Sequence, residues 1–214
     1  MSGFSLLETM RYEPETGIPR LNLHMARLRN SARVLGFAGV ENVPLELGIY
    51  IREKSEALRL RLELFTDGRY EITSAPYMPL ADDTVWRIRI ARDAMLNSSD
   101  PILRHKTSKR AVYNAARAEY GKDDADEVIL LNEKGEICEG TITNIFVDDG
   151  SGTLLTPPLS SGCLAGILRT SLICKKKARN QRLTVDDLRR NPFYVGNSLR
   201  GLIRAELGEY YANG

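Results

Sequence analysis

In LRLRLELF, residues 58–65, leucine alternates with arginine or glutamate, and this period of two predicts a strand with one buried face. The turn TDG and the stretch RYEITSAPY follow, so strand, turn and strand form a hairpin, and TVWRIRIA at 84–91 repeats the alternation. Ahead of them FSLLETMRY, residues 4–12, is strand-like and PETGIP is a turn. After Asn22 as N-cap, Met25, Leu28, Ala32 and Leu35 recur on one helical face that stops near Gly36, and a second helix is predicted over Leu45–Ala57. This half reads as α+β with an antiparallel sheet.

RDAMLNSSDP, residues 92–101, has turn formers and no sustained period. The domain boundary is therefore drawn there, giving a smaller α+β domain at 1–92, a linker at 93–104 and a larger domain at 105–214. In the latter the pattern predicts a helix over about 107–120, a strand EVILLN, a turn EKGE, and a strand pair TITNIFVDD and TLLTP around GSG. A helix near Gly166–Ala178, a short one at TVDDLRR and a strand FYVG complete it.

Composition narrows the classes. The 214 residues hold 30 Lys and Arg against 28 Asp and Glu, and this near balance gives no reason to expect nucleic acid or a membrane surface as partner. No stretch approaches the ~18 apolar residues of a membrane span, and the start lacks a basic region followed by an apolar run, so a cytoplasmic protein is expected. Cys138, Cys163 and Cys174 are widely spaced and accompanied by two histidines, which argues for reduced thiols and against a metal site.

RHKTSKR, residues 104–110, places five cationic or potentially cationic side chains in seven positions. A solvated helix face or an anion-binding patch would account for it. So would a lysine kept ready for covalent chemistry: in a helix starting near Lys106, Arg110 and Tyr113 share its face, and a cationic neighbour favours the neutral, nucleophilic amine. In NEKGEICEGTITNIFV, Glu139 ends a hairpin strand, ahead of two threonines and Asn144; it is a turn acid or a carboxylate set against a heterocyclic nitrogen. TPPLSSGCLAGILR leads into a helix whose first turn, from Gly166 and Ile167, presents backbone N–H groups that suit a phosphate or water. Gly196, Asn197 and Ser198 form either a plain turn or an anion-sized cradle. Arg27 shares a helix face with His24 and Ser31, where an ion pair or a surface charge is the default.

In order and spacing these stretches resemble the class IV aminotransferases, pyridoxal-phosphate enzymes that include branched-chain and D-amino-acid transaminases and 4-amino-4-deoxychorismate lyase. The resemblance spans nearly the whole chain, and HKTSKR with GNSLRG leans toward the lyase branch. It implies a two-domain α+β / α/β architecture of fold type IV with pyridoxal 5'-phosphate between the domains. Carried over by position, it makes Lys106 the Schiff-base lysine, Glu139 the partner of the pyridine nitrogen and Arg27 the phosphate clamp. Gly166, Ile167, Asn197 and Ser198 complete the phosphate cup, Asn144 supports the hairpin, and Arg110 and Tyr113 lie near the ring. The chain starts at the ETMRY strand, without leading strands that many relatives carry, and FTDGRYEI stands where some have a longer Gly/Arg-rich loop. Thr9, Arg11 and Arg69 are the substitutes for gripping the substrate. The implied activity is a lyase acting on a small amino substrate and releasing pyruvate to give 4-aminobenzoate for folate. An amino-acid transaminase and a non-catalytic relative that binds a phosphorylated ligand or a synthase are the alternatives. A homodimer is expected, with aminodeoxychorismate synthase as a further partner.

Overall fold

The computed structural model describes residues 3–209. Strands β1 (Leu6–Tyr12), β2 (Leu58–Leu64) and β3 (Tyr70–Pro76) form an antiparallel sheet in that order, and helices α1 (Leu21–Leu35) and α2 (Val43–Ile51) lie between β1 and β2 in the chain. The alternation in β2 works as its sequence requires: Leu58, Leu60, Leu62 and Leu64 are buried, while Arg59 and Arg61 are exposed. The leucines join Leu6, Met10 and Tyr12 of β1, Met25, Leu28 and Ala32 of α1, and Val43 and Leu47 of α2 in one apolar core. Three helix boundaries differ from the sequence reading. α1 is capped by Arg20 in a left-handed conformation (φ 59°) with no side-chain cap, so Asn22 lies inside the helix. α2 starts at Val43 with Pro44 in its first turn, the position where a missing N–H costs nothing, and ends at Ile51.

Strand β4 (Val85–Ile90) does not extend this sheet. It pairs in parallel with β5 (Glu127–Leu131) on one side and β11 (Gly201–Leu207) on the other. The stretches between contribute helix α3 (Ala111–Ala118), β6 (Ile137–Gly140), β7 (Asn144–Val147), β8 (Leu154–Thr156), helix α4 (Ile167–Cys174), β9 (Ala178–Asn180), helix α5 (Val185–Arg190) and β10 (Phe193–Asn197). The resulting mixed sheet has the order β6-β5-β4-β11-β10-β7-β8-β9. β6 and β7 are joined by three residues yet stand five strand spacings apart in that order, roughly 24 Å on a flat sheet and beyond the ~14 Å such a turn can span. The sheet is therefore curled, and the Gly140 N–H donates to the Thr143 carbonyl at 2.8 Å where β6 comes round to β7. Ile88, Ile90, Ile129, Ile137, Ile145 and Val195 fill the core beneath it.

These elements make two compact units, one comprising the chain up to Pro79 with His105–Lys109, the other Leu80–Arg104 with the chain from Arg110 onward. The chain thus passes between units at Pro79, Arg104 and Lys109, where the sequence pattern suggested residues 92 and 104. Long-range pairing is the cause: β4 finds its partners in the larger sheet, and residues 105–109 find theirs at the start of β1.

Candidate active site

The segment around Lys106 is extended rather than helical. The Leu7 N–H donates to the Lys106 carbonyl at 2.8 Å, the Ser108 N–H donates to the Ser5 carbonyl at 2.9 Å, and the Ser5 N–H donates to Ser108 Oγ at 2.9 Å. These bonds tie the Lys106 carbonyl and the Ser108 N–H to the start of β1, and α3 begins only after Arg110. Lys106, Arg110 and Tyr113 therefore do not share a helix face as the spacing suggested. Lys106, half-buried, is held in the first unit by its main chain, and Arg110 and Tyr113 belong to the second.

In the first unit, Glu8 of β1 is 1% exposed. Arg27 of α1 grips it with two bonds, Nε to Oε1 at 2.8 Å and Nη2 to Oε2 at 2.6 Å, and His24 Nδ1 lies 2.6 Å from Oε2. Burial alone would raise the Glu8 carboxyl, but Arg27 and His24 outweigh it and hold the pKa at about 2. The predicted face of α1 is real: His24 and Arg27 meet Glu8, and Ser31 Oγ lies 2.9 Å from His105 Nδ1, beside Lys106. Burial keeps His105 below the usual imidazole range. Thr9 and Arg11 are half-buried on β1, in register with Arg61 and Arg59 of β2. Arg11 pairs with Glu13 at 3.2 Å and lies 5.6 Å from the Tyr77 ring. Arg69, in the exposed β2–β3 turn, pairs with Asp67 at 2.8 Å and is 72% exposed.

In the second unit the candidates converge on Glu139, 5% exposed at the end of β6. Tyr113 Oη donates to its Oε1 at 2.7 Å, and the Leu164 N–H donates to Oε2 at 3.1 Å. Asn144 Nδ2 makes a longer contact to Oε2 at 3.4 Å and donates to the Leu164 carbonyl at 3.2 Å. Burial and the adjacent carboxylate raise the Tyr113 pKa well above its ordinary value, so the phenol stays a donor. The Arg110 guanidinium lies 4.9 Å from the Tyr113 ring and donates to the Thr141 carbonyl at 2.5 Å.

Asn144 also connects Glu139 to the helix start. It pairs with Gly196 of β10 across the sheet, and its Oδ1 would lie 1.8 Å from a Cβ placed on Gly166, so only glycine leaves the Asn144 side chain where it is. Gly166 caps α4 without a side-chain bond, which leaves the first-turn N–H groups around Ile167 uncapped by any side chain. Asn197 spans the neighbouring turn, donating from Nδ2 to the Ile142 carbonyl at 3.2 Å and accepting from the Leu199 and Arg200 N–H groups at 3.1 and 3.0 Å. Ser198 beside it is buried.

Sequence reasoning missed the carboxylates that hold these groups, Glu8 behind Arg27 and Glu127 behind the β6–β7 turn, and the Leu164 N–H on Glu139. The signal for the first two is visible in hindsight as a charged residue within or at the head of an apolar strand run, LLETM and EVILL.

The family model for amino-transferase class IV matches residues 5–206. The chain belongs to that family, whose enzymes depend on pyridoxal 5'-phosphate. A Schizosaccharomyces pombe protein provisionally named aminodeoxychorismate lyase is 28% identical over 179 residues, 81% of this chain and 74% of its own length. A solved structure from Mesorhizobium loti, provisionally named an amino-acid aminotransferase, is 47% identical with a TM-score of 0.92, over 96% of this chain and 100% of that one. The branched-chain aminotransferase of Thermoproteus uzoniensis shares the fold, with a TM-score of 0.84 at 22% identity over 99% and 80% of the two chains. The residues present suit the cofactor chemically: an amine at Lys106, a buried and oriented carboxylate at Glu139, and a helix start at Gly166 that no side chain caps.

Proposed function

We propose that this chain is a pyridoxal-phosphate-dependent 4-amino-4-deoxychorismate lyase, which releases pyruvate from its substrate and leaves 4-aminobenzoate. The observation that carries the cofactor assignment is the Glu139 carboxylate, fixed in one orientation by Tyr113, Leu164 and Asn144. When bound, the cofactor supplies an aldehyde for the substrate amine and an electron-accepting ring for the carbanion that forms next to it. Lys106 Nζ would hold that aldehyde and would accept the proton from the substrate carbon bearing the amine. Glu139 would lie against the pyridine nitrogen and hold it protonated. Tyr113 holds Glu139 at the angle this requires, and Arg110 backs the Tyr113 ring. The resemblance assigns the cofactor's phosphate to Arg27, held by Glu8 in the first unit, and to the first-turn N–H groups after Gly166 with Asn197 and Ser198 in the second. Thr9, Arg11 and Arg69 are assigned to the substrate's carboxylates, and a homodimer is the proposed working state.

The choice of the lyase rests on HKTSKR and GNSLRG and is supported by the relative from Schizosaccharomyces pombe. The 47% identity to the Mesorhizobium loti protein favours a second reading, an amino-acid transaminase using the same residues. In that case Lys106 would move the same proton, and a keto acid whose carbonyl oxygen comes from water would be the product. One experiment separates the two. The protein is supplied with chorismate, glutamine and a synthase, and 4-aminobenzoate is measured beside amino transfer from branched-chain or D-amino acids to 2-oxoglutarate. Appearance of 4-aminobenzoate together with pyruvate supports the lyase; amino transfer without it replaces the lyase by the transaminase.

A further inference from the structure

Glu127, the first residue of β5, is fully buried and has no part in the chemistry described above. Its carboxylate accepts five hydrogen bonds. Oε1 receives the Val128 N–H at 2.9 Å, the Thr141 N–H at 3.0 Å and Thr141 Oγ1 at 2.5 Å. Oε2 receives the Ile142 N–H at 3.0 Å and Thr143 Oγ1 at 2.8 Å. Four of the five donors belong to the three-residue turn between β6 and β7. The turn packs closely on the carboxylate: a Cβ on Gly140 would lie 2.7 Å from Glu127 Oε2 and 2.4 Å from Thr143 Oγ1.

The turn is where the second unit's candidate site is joined. Glu139 precedes Gly140 and Asn144 follows Thr143 in the chain. Its Thr141 carbonyl accepts from Arg110, and its Ile142 carbonyl accepts from Asn197. A shift of the turn would therefore move the proposed nitrogen partner, its Asn144 support, the arginine behind Tyr113 and the phosphate-side asparagine together.

We propose that Glu127 is a positioning residue that sets Glu139 and Asn197 through the 141–143 turn. The inference rests on the reading that these two residues address the cofactor. Both carboxylate oxygens face a backbone N–H, so a glutamine must turn its NH2 toward one of them, and the isosteric change loosens the turn without opening a cavity.

The test compares the parent, Glu127→Gln, Glu139→Gln and the double variant. Cofactor affinity is read by absorbance titration, exchange of the Thr141 and Ile142 amides by NMR, and turnover in the active assay. Glu127→Gln is expected to weaken cofactor binding about tenfold and to speed exchange at both amides. It should also cut kcat about tenfold in the parent but less than twofold when Glu139 is already Gln, because the same orientation cannot be lost twice. Thr143→Val keeps Glu127 and removes one donor, so it should shift affinity about threefold in the same direction and serves if Glu127→Gln does not fold. Unchanged affinity and turnover in both variants, or equal kcat losses in both backgrounds, would overturn the positioning role alone. A parent protein that binds no pyridoxal phosphate would overturn the proposed function, and this inference with it.

Discussion

Replacing Glu8 by Gln keeps the shape of the side chain and removes the charge that Arg27 and His24 surround. The folded carboxyl has a pKa of about 2 against an ordinary value of 4.5. Because the folded value is the lower one, its contribution is fully present above pH 4.5 and is lost as pH falls toward 2. The difference corresponds to about 3 kcal/mol at neutral pH, in line with the cost of breaking a buried ion pair by removing one partner. For a chain of this size that is a fall in Tm of roughly 10 °C. Urea titrations of parent and Glu8→Gln at a series of pH values measure the gap directly. It should stand near 3 kcal/mol at pH 7 and narrow to about 1 kcal/mol at pH 3, since the amide stands for the protonated acid and other carboxylates cancel in the difference. A gap that stays constant with pH, or a variant as stable as the parent at pH 7, would refute the claim that Glu8 is ionised and clamped by Arg27.

Other expectations are more local. Glu139→Gln should retain the cofactor and lose about two to three orders of magnitude in turnover, measured with saturating cofactor. Gly166→Ala places a carbon where Asn144 Oδ1 now lies, so the asparagine must leave its contacts with Glu139 and the Leu164 carbonyl; cofactor affinity by titration should fall at least about tenfold in a protein that still folds. With a thiol reagent at neutral pH, the exposed Cys174 should react first. Cys138 and Cys163 are buried and their pKa values raised, that of Cys163 to about 12, so they should label only on unfolding, as peptide mapping would show.

Regular alternation and helical periodicity were enough to locate β1, β2, β3 and α1, because each buries one face against the same small core. What the pattern could not convey was long-range pairing. Residues 105–109 carry helix-compatible side chains, yet their backbone bonds go to the start of β1, and β4 looks like one more antiparallel strand until its parallel partners are seen. β9 is only three residues long and shows no period of its own. β11 does alternate, with Ile203 and Ala205 buried and Arg204 and Glu206 exposed, a signal passed over where the glycine turn is taken to end the strand at FYVG. For the candidate site, motif order supplied the candidate residues, while the groups that hold them in the fold could not be read from it. The hydrogen bonds of Glu8, and those of Glu127 to the 141–143 turn, close over 16 to 19 residues and 14 to 16 residues of chain, respectively, through contacts that exist only after folding.

The most direct measurement is reduction of the cofactor-loaded protein with borohydride, followed by peptide mass analysis. The account predicts one pyridoxyl group, attached to Lys106, and none in a Lys106→Ala protein. A label on another lysine, or no uptake of the cofactor, would contradict it.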